Sequence, residues 1–311
     1  MSENITQNSD EIDAFFQNTG YHRTFILEAC QELLQVVEDT QKKKQTTSPI
    51  LSNTNNQENI KFTALWDSTV NYSVVKFLTD NSPNLYLSLI SNLYKFTEEN
   101  KNNLNPRIFE VTAGVLANLL TFGPQNQEIK TSQNNNNTHC FTIETQFHEI
   151  FLDLIENLIN LDVKIPECLT QVIRIINTTL YIFEYPTFND ASLNNFLNFA
   201  LTLLKSSYDS ELIKICCQFL LTLKNYTGTP ESDDKDINKT IIINQKTVIE
   251  AVIEGLGELT IEELLEFDVP LEIFGDSEEK QQLKDFYSGK IEDYQNLVDI
   301  SEKLEEFLAL D

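Results

Sequence analysis

Three stretches of this chain are apolar on nearly every face: VTAGVLANLLTF over 111–122, VIRIINTTLYIF over 172–183 and CCQFLLTLKNY over 216–226. A helix of that kind cannot lie at a surface and must be enclosed by other helices. Each follows a turn and, before the turn, another apolar helical pattern, at about residues 84–97, 144–160 and 192–206. Asn118, Asn177 and Asn225 recur within the three helices at separations of 59 and 48 residues, the first widened by an Asn-rich stretch. Armadillo and HEAT units run about 40–47 residues. One helical hairpin cannot bury its own apolar faces, whereas stacked hairpins can. The expected fold is therefore all-α, an armadillo/HEAT-like right-handed superhelix of stacked helical hairpins. A compact helical domain without true repeats is the competing reading.

Punctuation divides the chain. Glycine and proline number only 8 each in 311 residues, which suits long helices better than a sheet fold rich in turns. Residues 1–40 hold an N-terminal helix, patterned over 21–39 by Phe25, Leu27, Cys30, Leu33, Leu34 and Val37. Residues 41–59 are polar and unpatterned, a linker. The repeats span 60–228. Within them a helix is expected over 67–79, capped by Asp67 or Ser68, with the sole tryptophan, Trp66, just ahead of it as an anchor. Asn105-Pro106 caps and opens the next long helix, and Gly123-Pro124 stops it. Residues 125–140, which include Asn134 to Asn137, form an Asn-rich insertion. Pro166 opens a further helix and Pro186 ends it. A second, acidic linker covers 229–240, and 241–311 form an acidic helical cap on the repeats, broken near Gly255 and Gly257 and closing on an amphipathic helix from Phe286 to Leu310.

Charge excludes some partners. With 48 acidic against 22 basic residues the formal charge is −26, which disfavours nucleic acid and anionic membranes and suits proteins with basic surfaces. Residues 250–311 alone hold 19 Asp or Glu against 4 Lys. The one basic cluster, Lys42-Lys43-Lys44, lies in the first linker and is only loosely like a nuclear-import signal. No apolar run approaches the roughly 18–20 residues of a membrane span. The polar stretch from Met1 to Gly20 does not read as a secretory signal, and five cysteines without a CxxC suit free thiols in a reducing compartment.

Catalytic constellations are missing. Of three histidines, His139 adjoins Cys140, but neighbours in a polar loop lack the rigid scaffold and orienting group that a nucleophile and its base require. Cys216 and Cys217, adjacent on a helix, point about 100° apart and read as core. No zinc spacing and no phosphate loop occurs; Gly255-Leu256-Gly257 follows no strand. The expectation is a monomeric, non-enzymatic protein without cofactor or metal that binds other proteins.

LWDSTVNYSVVKFL over 65–78 followed by PRIFEVTAGVLANL over 106–119 resembles the core of the serum amyloid A-like (SAAL) family, through Trp66-Asp67, Val74, Phe77-Leu78, Arg107, Glu110, Gly114, Leu116 and Asn118. DFYSGKIEDY over 285–294 is similar to a C-terminal block of that family, carried by Phe286-Tyr287-Ser288 and Glu292-Asp293-Tyr294. The resemblance implies an armadillo-like fold, a nuclear location and no enzymatic activity, with a link to promotion of cell proliferation; a cytoplasmic location beside the nuclear one stays open. This chain is shorter than animal members, carries its own Asn-rich insertion, and has Gly289 where a proline is common. The alternative is a transport adaptor that holds basic peptides in an armadillo groove. Cargo-importing armadillo proteins use a ladder of Trp and Asn, and Asn118 occupies such an Asn position, with capping or bridging of neighbouring helices as its alternative role; Asn177 is a further candidate interaction residue. Gly114 stands at the matching Trp position, which leaves lysine stems nothing to pack between.

Overall fold

The computed structural model describes residues 12–42, 56–82, 84–99, 106–122, 145–160, 165–182, 188–227, 245–267, 271–274 and 277–308. These are helical throughout, without a strand. Helix α1 covers residues 12–19. It is followed by α2 (Arg23–Lys42), α3 (Asn56–Ser68), α4 (Tyr72–Asn81), α5 (Leu85–Glu99), α6 (Pro106–Phe122), α7 (Thr145–Ile159) and α8 (Pro166–Ile182). Then come α9 (Asp190–Ser206), α10 (Ser210–Thr227), α11 (Gln245–Gly257), α12 (Ile261–Glu266), a 3₁₀ turn (Leu271–Phe274) and α13 (Glu278–Leu308). The chain forms two compact units, Met1–Ile182 and Phe183–Asp311. The Asn-rich insertion, the 229–240 linker and the His139-Cys140 pair lie outside the described residues.

In the first unit α5 pairs with α6 and α7 with α8, and the two hairpins stack in register: α5 lies on α7 and α6 on α8. Contact of like helix with like helix is the pattern of a repeat array. α6 also meets α2, α3 and α4. Enclosure on so many sides explains its all-round apolar sequence, and every residue from Val111 to Leu120 is buried. Pro106 starts it without costing a backbone donor that the first turn would use. α8 differs. Cys168, Val172, Ile173, Ile175, Ile176 and Leu180 are buried, but Arg174, Asn177 and Thr178 are only partly so and Tyr181 is exposed. Its sequence therefore tolerates a polar stripe that α6 does not.

One expected helix divides differently. Residues 67–79 are not continuous: α3 starts at Asn56, inside the stretch read as linker, and runs through Trp66 to Ser68, and α4 starts afresh at Tyr72. The cap is neither Asp67 nor Ser68. Asn71 takes an extended conformation and its side chain accepts from the amides of Ser73 and Val74. The Thr69 hydroxyl donates to the Trp66 carbonyl at 2.7 Å and satisfies one of the open carbonyls at the end of α3.

In the second unit α9 and α10 form a hairpin, and α11 packs on both. Asn189 caps α9 by accepting from Ser192 N–H, and the Asp209 carboxylate caps α10 by accepting from Leu212 N–H. A Cβ at Gly255 would lie 3.0 Å from Leu204 Cδ2 and from the Leu204 carbonyl oxygen, so glycine lets α11 approach α9 closely. α11 ends at Gly257, and a Thr260–Glu263 capping box opens α12, at the break expected there. α13 packs on α11 and begins at Glu278, ahead of the Phe286 start read from the sequence.

Candidate functional site

Five of the residues singled out in the sequence, Trp66, Arg107, Glu110, Gly114 and Asn118, meet where α3 crosses α6. Trp66, in the last turn of α3, lays its indole on Gly114 of α6. A Cβ at Gly114 would fall 2.6 Å from Trp66 Cε2 and 2.8 Å from its Cζ2 and Nε1. The space that a side chain at 114 would fill is thus already filled by Trp66 from the neighbouring helix. Arg107, two turns before Gly114 on α6, also lies over the indole, its guanidinium carbon 5.7 Å from the ring centroid. Such a stack contributes about 0.5–1 kcal/mol at a partly exposed site. Arg107 also donates to Glu110 Oε2 at 2.8 Å and to Thr63 Oγ1 at 2.7 Å. Glu110, one turn along α6, therefore holds the guanidinium against the ring. Asp67, next to Trp66, points to solvent.

Asn118 lies one helical turn beyond Gly114 and is fully buried. Its Nδ2 donates to the Trp66 carbonyl at 3.2 Å and to Thr69 Oγ1 at 3.0 Å, and its Oδ1 accepts from Arg174 Nη2 at 2.6 Å. Arg174 Nη1 donates to Gln171 Oε1 at 2.7 Å. The network thus ties α3, α6 and α8. A buried amide of this kind must be bonded, since an orphaned group costs about 1–3 kcal/mol. Asn118 has its donors and its acceptor engaged within the fold, so its amide is not presented to a peptide as a rung. Asn177, the other asparagine singled out, is part-buried on α8, and its buried Oδ1 finds no hydrogen-bond partner among the described residues.

Arg174 was not singled out in the sequence. The signal was there: one charged residue inside the apolar run VIRIINTTLYIF. Its burial pulls the guanidinium pKa below the usual value. Further along the same seam the hydroxyls of Thr121 and Thr178 lie 3.2 Å apart.

Phe286 and Tyr287 belong to the second unit and take no part in this cluster. They meet edge to face on α13, with ring centroids 6.1 Å apart. Lys290 stands 5.8 Å from the Phe286 centroid and donates to the Gly257 carbonyl at 3.3 Å, which satisfies the end of α11.

The cysteines are poor nucleophiles. Burial pushes Cys30, Cys168 and Cys217 up to about 12, and Cys216 well above its ordinary value, so these thiols stay protonated. Cys216 and Cys217 both lie in the core. Among the described residues no group of three or more His, Cys, Asp or Glu side chains could hold a metal, and no helix is long and apolar enough to cross a membrane.

No family model matches the chain, and no curated protein is significantly similar to it. A crystal structure of an engineered protein aligns with 83% of this chain and 98% of its own, at 13% identity and a TM-score of 0.36, which is too loose a likeness to carry an argument.

Proposed function

We propose that this chain is a non-enzymatic protein-interaction scaffold of SAAL type, its hairpins stacked in an armadillo/HEAT-like right-handed superhelix. It acts in the nucleus, with a cytoplasmic pool, in the promotion of cell proliferation. The observation that supports the reading best is the meeting of Trp66, Arg107, Glu110, Gly114 and Asn118 at one crossing of helices. These are five of the residues that carry the SAAL resemblance, and more than 40 positions separate Trp66 from the other four. A chance likeness scattered over two helices has no reason to fall on a single contact. The stacking of α5 on α7 and α6 on α8 adds the architecture that such scaffolds use. The adaptor reading loses its strongest rung, because Asn118 is spent on Trp66, Thr69 and Arg174.

The test is affinity purification of the tagged chain from separate nuclear and cytoplasmic fractions, with quantitative mass spectrometry against an empty tag. The expected result is a small set of proteins at near-stoichiometric levels, concentrated in the nuclear fraction. Recovery of nothing above the empty tag would overturn the scaffold reading, and a set that binds only through Lys/Arg-rich segments would favour the adaptor.

A further inference from the structure

Helix α1 reads IDAFFQNT, and it packs on one side only. Ile12 and Phe16, one turn apart, are buried, whereas Asp13, Ala14, Gln17, Asn18 and Thr19 are exposed. The Phe16 ring meets Phe77 of α4 edge to face, with centroids 6.4 Å apart. Among the described residues the single polar tie from α1 to another helix is Asp13, whose Oδ1 accepts from Arg23 Nη2 of α2 at 2.6 Å. Arg23 in turn lies over the Phe77 ring, 5.9 Å from its centroid. The ion pair is exposed and so adds little. Two buried side chains are left to hold a helix too short to persist alone in water.

α1 turns back onto this site at Gly20, whose φ is +71°. Gly20 N–H donates to the Phe16 carbonyl at 3.1 Å and ends the helix. No other described residue has a positive φ of this kind, and only glycine takes it without strain. A Cβ at Gly20 would meet nothing within 4 Å, so this residue serves the turn and not the packing.

We infer that α1 is an autoinhibitory clasp. It undocks as a unit about Gly20 while α2 and α4 stay folded, and uncovers a helix-binding groove with Phe77 as its floor and Arg23 as its charged rim. The seated α1 defines what fits. The outside ligand is an amphipathic helix of a protein partner with the spacing of Ile12, Asp13 and Phe16: an apolar residue, an acid beside it and an aromatic one turn on. The acid takes the place of Asp13 on Arg23, and the ring takes the place of Phe16 on Phe77. The inference rests on the scaffold reading and gives it a docking site and a type of partner.

The test is made on the full chain as wild type, Gly20→Ala and Phe16→Ala, by amide hydrogen exchange and by titration with a fluorescent peptide of residues 10–21. In wild type the amides of Phe16 to Gly20 should exchange through an opening that leaves the α6 amides protected. Gly20→Ala should speed that exchange about tenfold, because alanine disfavours the left-handed turn and touches nothing. The peptide should bind Gly20→Ala about tenfold more tightly than wild type, in step with the open fraction, and Phe16→Ala at least as tightly as Gly20→Ala. The same peptide carrying Phe16→Ala should bind none of the three. Exchange of α1 only together with α6, unaltered by Gly20→Ala, overturns the clasp. Peptide binding that is equal in the three chains, or absent from all, overturns the groove. A Gly20→Ala dimer that grows with concentration shows α1 passing between two copies and overturns the outside partner. None of these readouts uses a cellular partner, so their failure leaves the scaffold reading to the partner-capture test.

Discussion

Gly114 is where a single atom decides the packing. An added methyl would have to displace the Trp66 indole, which Arg107 also holds by lying over the ring. Gly114→Ala is expected to destabilise by about 1–3 kcal/mol by overpacking, measured by chemical denaturation. The same change made on a Trp66→Leu background should cost clearly less, because the clashing ring is gone. Equal costs on both backgrounds would show that the contact is not the cause. Asn118→Ala removes three hydrogen bonds and leaves Arg174 with Gln171 alone, so a loss of about 2–3 kcal/mol is expected. The buried thiols give a third expectation. Their folded pKa values lie above those of the unfolded chain, so the stability they contribute is complete below about pH 8.5 and is lost as pH rises towards 12. At pH 8 a thiol reagent should leave Cys30, Cys168, Cys216 and Cys217 unmodified until denaturant is added; rapid native labelling of all four would contradict their burial. Little of this was legible from spacing. The Trp66–Gly114 and Asn118–Arg174 contacts join residues 48 and 56 positions apart, and periodicity speaks only of neighbours along one helix.

At the scale of elements, the helical segments were legible because proline, glycine and asparagine mark their ends so plainly. Pro106 and Pro166 open α6 and α8 as their positions suggest, and the break after Gly257 falls where two glycines interrupt the pattern. The α3–α4 junction was misread for a physical reason. Asp67, Ser68 and Asn71 are all competent caps, and local sequence does not rank them; the tertiary bond from Asn118 to the Trp66 carbonyl fixes the end of α3 and leaves Asn71 to open α4. Asn71→Ala should therefore cost about 1 kcal/mol, whereas Asp67→Ala should cost almost nothing, as read from paired denaturation curves. The reverse order would restore the first reading. α8 shows the limit of apolar patterning. Its run looked as enclosed as α6, and only the structure shows Arg174, Asn177 and Thr178 part-buried and Tyr181 exposed.

For the whole molecule, Trp66, Arg107, Glu110, Gly114 and Asn118, which carry much of the family resemblance in the first unit, serve packing. In the second unit α11 buries Val248, Ile249, Val252 and Leu256. At about 1.5–3 kcal/mol for each such side chain, their loss exceeds what a marginally stable unit can spare. Deleting residues 241–311 should lower the melting temperature of what remains, and an unchanged value would show that these helices do not cap the repeats. The account is tested most directly by Asn118→Ala, put through a melt and through partner capture at a temperature where it and the wild type are both folded. Asn118→Ala should melt earlier and keep its partners, because its amide is spent within the fold. If it instead loses the partners without losing stability, the amide serves binding rather than packing and the account fails.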